Sequence, residues 1–189
     1  MTLDDVDIYS KFPDGMKNVY FGMGCFWGAE KKFWGLSGVH TTIVGYCGGG
    51  SNNPTYEEVC SGKTGHAEVV RVVYDDSKIN LVDLLKVFWE SHDPTQLNRQ
   101  GNDFGTQYRS AIFLESNDDL KLAQSTKLKF QNILSENDFG SIKTEIGLLK
   151  KFFLAEEYHQ KYLQKNPSGY CALSGLGVNY FNWLDRLFH

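Results

Sequence analysis

The chain predicts an α/β (α+β) fold: a two-layer sandwich with a ferredoxin-like β-α-β-β-α-β core, a mixed sheet, an added α-β-α extension and an irregular C-terminal tail. Three observations predict it. Short apolar, valine-rich segments alternate with segments of helical period between Val19 and Leu114. The 189 residues suffice for one core of ordinary size. The composition, 41% hydrophobic and 14% aromatic, supplies the large side chains that two packed layers must bury.

The elements follow in order. Val19–Met23 reads as a short apolar strand, Gly24 permits a tight turn, and Phe26–Trp34 places Phe26, Trp27, Phe33 and Trp34 at helical spacing. Val39–Gly45 is the second strand. Cys47 to Gly65 has no clear periodicity and holds Gly48, Gly49, Gly50, Asn52, Asn53 and Pro54, which predicts a long loop; loops of that length inside a compact domain are usually functional. Ala67–Tyr74 is a third strand. Leu81–Ser91 is a helix with Asn80 as its N-cap and Pro94 beyond its end. A second loop, Asp93 to Thr106, leads to strand Gln107–Leu114. Ser116 then caps a helix running to about Leu134, with Asp119 at the third position of a capping box. A strand near Ile142–Leu148 and a helix near Ala155–Gln164 complete the extension. Residues 1–18 are expected to form an N-terminal arm and 19–189 a single domain whose segment 166–189 is flexible.

Composition excludes several functions. A net charge of −4 argues against nucleic acid or an anionic membrane as a partner. No apolar run reaches transmembrane length, and the acidic first residues precede no apolar signal region, so a cytoplasmic location is expected, with a mitochondrial or nuclear form left open. The four cysteines, Cys25, Cys47, Cys60 and Cys171, show no C-x-x-C spacing. In a reducing compartment such cysteines are core residues, metal ligands or redox catalysts.

Cofactor motifs fail on particular residues. Gly22-Met23-Gly24-Cys25-Phe26-Trp27 carries Trp27 where a dinucleotide fingerprint needs glycine. Gly62-Lys63-Thr64 resembles the end of a phosphate loop, but Glu57 occupies the earlier glycine position. His66-Ala67-Glu68 matches half of a zinc-deaminase signature and lacks the other half. No cofactor and no metal is therefore expected.

What remains is Cys25, at a strand-to-helix junction. A thiol on the first turn of a helix faces unpaired N–H groups and the positive dipole end, both of which favour the thiolate. The plain alternative is a buried structural cysteine among core aromatics. Of the adjacent pair Phe26 and Trp27, at least one is expected to line a pocket. Glu68 begins an apolar strand, where desolvation raises a carboxyl pKa and keeps its proton available; a solvated strand-end glutamate is the alternative. Tyr56 in the long loop and Tyr108 are phenol donors able to bind an oxygen. Cys171, in the flexible tail, could form a transient disulfide with a catalytic cysteine, or be incidental. His66 and His159 are read as structural, and His92 as a cation at a helix C-terminus.

Gly24-Cys25-Phe26-Trp27-Gly28, Asn53-Pro54-Thr55-Tyr56, Thr64-Gly65-His66-Ala67-Glu68, His92-Asp93-Pro94-Thr95-Gln96, Gln100-Gly101-Asn102-Asp103, Gly105-Thr106-Gln107-Tyr108-Arg109-Ser110 and Lys165-Asn166-Pro167 together resemble the A-type peptide methionine sulfoxide reductases. The likeness runs from about Val19 to Val178. It implies a two-layer α/β sandwich and a catalytic domain that reduces the S epimer of methionine sulfoxide, free or in proteins. It also implies a cysteine sulfenic acid, an intramolecular disulfide and recycling by thioredoxin. By position, Cys25 would be the nucleophile and Phe26 and Trp27 the pocket for the substrate methyl. Glu68 would be the general acid, with Tyr56 and Tyr108 on the sulfoxide oxygen, Asp103 making polar contacts and Cys171 resolving. A monomer is expected. The chain departs from many members at Asn179, where they carry a second recycling cysteine, so a single resolving thiol is expected. A thiol peroxidase, or a zinc module built on Cys25, Cys60, His66 and Cys171, are the rival readings.

Overall fold

The computed structural model describes residues 12–180; the N-terminal arm up to residue 11 and the tail after residue 180 lie outside the described residues. The chain runs β1 (Met16–Met23), α1 (Phe26–Phe33), β2 (Val39–Cys47), α2 (Tyr56–Cys60), β3 (Ala67–Asp75) and α3 (Leu81–Ser91). There follow β4 (Arg99–Gln100), β5 (Asp103–Phe104), β6 (Ser110–Leu114), α4 (Asn117–Glu136), β7 (Glu145–Leu148), β8 (Phe152–Leu154) and α5 (Tyr162–Lys165). Six strands make one sheet in the order β7-β6-β1-β3-β2-β8. Its central pairs are antiparallel, with Phe21 opposite Val70 and Gly45 opposite Val69, whereas β6 and β7 run parallel, so the sheet is mixed as expected.

Strand alternation decides which side chains meet the helices. Val19, Phe21 and Met23 of β1, Val44 and Tyr46 of β2, and Val70, Val72 and Tyr74 of β3 enter the main core with α1, α3 and α4. Tyr20, Cys47, Ala67, Val69 and Phe113 face the other way into a smaller cluster under Phe152. Phe21 stacks between Phe33 of α1 and Phe88 of α3, at 5.0 and 5.1 Å, and so locks both helices to the strand. Glu68 has the parity of Val70 and Val72 and therefore points to the helix face of the sheet.

The structure corrects several expectations. β1 begins at Met16, so residues 16–18 belong to the sheet rather than to an arm. The long loop contains α2, whose capping box between Thr55 and Glu58 is a legible T-x-x-E signal. Asn80 caps α3 as predicted, with a reciprocal box to Asp83. Ser116 caps α4 through the Asp119 amide, but Asp119 bonds the serine hydroxyl instead of closing a box. Gln107 and Tyr108 form a 3₁₀ turn before β6. The helix expected over 155–164 is broken. Phe152–Leu154 extends the sheet, Glu157–His159 is one 3₁₀ turn, and α5 starts only after Lys161, which is held left-handed at φ 53°.

The tail to Tyr180 has no helix or strand beyond a final turn, yet it is fastened down. The Tyr180 amide donates to Glu90 at 2.6 Å, and Leu173, Leu176 and Val178 pack on the core. To that point the described tail is a strap against the core.

Candidate active site

Cys25 is the N-cap of α1 and is half-buried. Gly24, at φ +89°, makes the turn that delivers it, and a Cβ there would lie 2.6 Å from Gln100, so neither the turn nor the space admits a side chain. The amide of the next residue, Phe26, donates to Glu68 Oε2 at 3.1 Å. That single bond brings the start of β3 to the start of α1 and sets the carboxyl beside the thiol.

Glu68 is 1% exposed, and burial raises its carboxyl to about 8. The Phe26 amide opposes the shift and the Asp103 charge reinforces it. A carboxylic acid at neutral pH is what the sequence predicted. The thiol departs from prediction. Burial, then the charge of Glu68, push Cys25 up to about 12, against the Trp27 and Gly28 backbone amides that draw it down. The helix start contributes in the expected direction but loses to desolvation, because a dipole effect is worth at most a couple of kcal/mol while burying an anion costs more. Cys25 is a thiol here. His92 corrects the same way: it is wholly buried between Phe88 O and Ser110 Oγ, and burial depresses it to about 4, so it caps α3 as a neutral ring.

Tyr56 is the first residue of α2, and Tyr108 lies in the 3₁₀ turn of residues 106–108. Burial raises both phenols and the Glu68 charge adds to it, so both remain hydrogen-bond donors at any working pH. The Tyr56 hydroxyl also interacts with the Cys60 thiol at the far end of α2. Asp103, on β5, accepts from the Tyr170 hydroxyl at 3.1 Å. Phe26 is buried in the core, whereas Trp27 is half-buried at the surface of α1. Cys47 is buried in the smaller cluster, on the sheet face away from the site.

A narrow cleft is lined by Met23, Cys25, Gly28, Gln100, Asp103, Cys171, Ala172 and Leu173. The tail thus closes over Cys25 and puts the exposed Cys171 thiol into the same cleft; all four cysteines are free. Gly28 makes the approach possible, since a Cβ there would stand 3.1 Å from Cys171 Sγ and 3.2 Å from Leu173. Among the described residues no group of three or more His, Cys, Asp or Glu could hold a metal, which leaves the zinc module without a ligand set.

Sequence reasoning missed the groups that hold these parts together. The Gln100 amide pairs with both backbone groups of Asp93, anchoring the β4–β5 hairpin that carries Asp103. Glu30, 0% exposed on α1, binds Thr42 and both the backbone amide and ammonium of Lys161. Glu156 accepts from the Tyr46 hydroxyl and the Tyr56 amide, both at 2.8 Å. Glu30 and Glu156 have no local pattern, because Lys161, Tyr46 and Tyr56 lie about a hundred residues or more from them in the chain.

Two thiols on one cleft with a proton-holding carboxyl equip the fold for thiol redox chemistry. Residues 17–180 match the family described as Peptide methionine sulfoxide reductase, and the chain belongs to that family. It is 60% identical over 168 residues to the mitochondrial peptide methionine sulfoxide reductase of Homo sapiens, covering 89% of this chain and 72% of the human protein. The solved methionine sulfoxide reductase A of Corynebacterium diphtheriae superposes with a TM-score of 0.79 at 42% identity, over 85% of this chain and 79% of that one. Mxr1 from Saccharomyces cerevisiae, solved in complex with Trx2, superposes with a TM-score of 0.58 at 27% identity, over 82% of this chain and 90% of that one. Among the described residues no helix is long and apolar enough to cross a membrane.

Proposed function

We propose that this chain reduces methionine-S-sulfoxide, free and in proteins, to methionine, and is returned to its starting state by thioredoxin. The observation that carries the reading is the Phe26–Glu68 hydrogen bond, which couples the position of a buried carboxylic acid to that of the Cys25 thiol. Family membership and the solved Mxr1–Trx2 complex support the substrate and the reductant.

A sulfoxide oxygen leaves only when protonated, and a thiol attacks only as it loses its proton. Below about pH 8 Glu68 is uncharged, so its part of the upward push on Cys25 vanishes and the Trp27 and Gly28 amides oppose burial alone. Cys25 Sγ attacks the substrate sulfur while Glu68 gives its proton to the oxygen held by Tyr56 and Tyr108. The proton displaced from Cys25 restores Glu68. The S–O bond passes from methionine to Cys25, leaving a sulfenic acid and a thioether. Cys171 then attacks Cys25, expelling the oxygen as water and closing a disulfide. Thioredoxin's dithiol reduces that disulfide, and with Asn179 at the further position no second relay thiol stands there. Trp27, with Phe26 behind it, houses the substrate methyl, and Asp103 makes polar contacts to the substrate.

The same reading takes the chain from Met16 onward as one catalytic domain, acting as a monomer without nucleic acid or membrane, in the cytoplasm or as a mitochondrial or nuclear form. The antiparallel order β6-β1-β3-β2 supports a ferredoxin-like core. The decisive experiment is turnover of the separated S and R epimers with thioredoxin as reductant. Turnover of the S epimer alone is expected. Peroxide consumption without sulfoxide reduction would instead establish a thiol peroxidase.

A further inference from the structure

The short helix α2 carries Tyr56 at its first position and is too brief to fix that side chain's direction by itself. Val59, wholly buried, roots the helix in the main core. The Thr55–Glu58 box satisfies the amides of residues 55 and 58 and leaves the Tyr56 amide over. That amide donates to Glu156 Oε1 at 2.8 Å, from 100 positions away in the chain. The other carboxylate oxygen, Oε2, accepts from the Tyr46 hydroxyl at 2.8 Å.

Glu156 can serve as an anchor because its own backbone is stitched to β2. The preceding amide, that of Ala155, donates to Val44 O at 3.1 Å. Gln160 then doubles back on the same strand residue. Its Oε1 accepts from the Val44 amide, and its Nε2 donates to Val44 O and Ala155 O, each at 2.9 Å. Tyr46, two residues further along β2, is itself wholly buried. Burial pushes the Glu156 carboxyl up, but its own amide, the Tyr56 amide and the Tyr46 hydroxyl outweigh that and hold it below the ordinary glutamate value. It is an anion, and both of its bonds are of the stronger, charge-assisted kind.

We propose that Glu156 is a positioning residue for the sulfoxide oxygen: by holding the first amide of α2 against β2, it sets where the Tyr56 hydroxyl stands. The inference rests on the reading that Tyr56 binds that oxygen. The hydroxyl has a rival partner in the Cys60 thiol, one turn along the same helix. A helix free to turn about Val59 would carry both groups together and leave the phenol on Cys60 instead of on the substrate.

The test is a double-mutant cycle on the single-turnover rate of methionine formation. Glu156→Leu fills much of the same space and offers no acceptor. It should lower the rate about tenfold in the parent but less than about twofold in the Tyr56→Phe background, because the carboxylate acts through that hydroxyl. Glu156→Gln keeps an acceptor for the Tyr56 amide, and its Nε2 can donate to the Tyr46 hydroxyl, so it should recover all but about threefold. Closure of the Cys25–Cys171 disulfide, followed by thiol titration, should stay within about twofold in each variant, since the residues lining that cleft come from other elements. No loss in Glu156→Leu, or a loss of equal size in both backgrounds, overturns the inference. A disulfide step slowed as much as the reduction overturns it too, as the sign of a general loosening. Should Glu156→Leu not fold, Glu156→Gln decides by the same comparison: a loss confined to the Tyr56 parent upholds the inference, and no loss or an equal loss overturns it. A Tyr56→Phe chain that reduces as fast as its parent would show that Tyr56 does not meet the oxygen, which fails the functional reading itself. Equal losses in the two backgrounds fail only the role of Glu156.

Discussion

The backbone amide of Phe26 donates to the carboxyl of Glu68 at 3.1 Å, tying the first turn of α1 to the first residues of β3 across 42 positions of sequence. This contact makes the acid part of the helix start rather than a neighbour of it, and it opposes only part of the burial that raises Glu68 to about 8.

Glu68→Gln should lower the single-turnover reduction rate by about 10²–10⁴, the usual worth of general acid assistance. In the unsubstituted protein this rate should fall as pH rises through about 8, where Glu68 loses its proton. The glutamine variant should lack that limb. Rapid mixing across pH 6–9, with formed methionine as the signal, checks both.

The same substitution should stabilise the fold, with a definite pH dependence. The folded value of Glu68 lies above the unfolded value of about 4.3, so ionisation is costlier in the folded state. No stability is lost below the unfolded value. The deficit then grows up to about pH 8, at about 1.4 kcal/mol per unit between the two values. Urea denaturation should find Glu68→Gln more stable than its parent at pH 8, with the gap shrinking towards pH 5.

Cys171→Ser should carry out about one turnover per active site and then stop with thioredoxin as reductant, because Cys25 sulfenic acid would lack its partner. The amplitude of methionine formed is the measurement. Continued cycling would transfer the resolving role to Cys60, the other exposed thiol.

Gly28→Ala separates the two halves of the cycle. The new methyl would stand 3.1 Å from Cys171 Sγ and 3.2 Å from Leu173, pressing the strap and its thiol back from α1 by a few tenths of an ångström. Methionine release in the first turnover should stay within about twofold, while disulfide formation, followed by thiol titration, slows by at least about tenfold, the penalty of a displaced reacting group.

Glu30→Ala removes the wholly buried carboxylate that both the ammonium and the amide of Lys161 bind, beside a backbone held at φ 53°. Breaking a buried pair on one side costs about 3–5 kcal/mol, and denaturant unfolding should read a loss of that size. Glu30→Gln keeps the bonds to Thr42 and the Lys161 amide in reach and should lose less.

Much of the site was legible along the chain because its chemistry depends on local placement. Cys25 after Gly24 at a strand-to-helix junction, and Glu68 at the mouth of a valine-rich strand, each announce their setting within a few residues. Asn80 as an N-cap did the same for α3. The Thr55–Glu58 box of α2 was equally present and went unread inside a glycine-rich loop. The helix expected over 155–164 failed because its apolar spacing serves distant partners. Glu156 reaches Tyr46 and Tyr56, His159 reaches Trp27, and Lys161 gives up helical geometry for Glu30.

The order of the principal strands and helices as far as α4, the two thiols of the cleft, the buried carboxyl and the family are written in linear sequence, since period, turn and motif are properties of neighbouring residues. Tertiary structure alone decided the protonation of Cys25, the closing of the strap over it and the bonding of the Tyr56 amide to Glu156. Those depend on how much water is excluded and which remote groups arrive, and desolvation has no sequence period. At Cys25 it reversed the sign that the helix dipole by itself would have set.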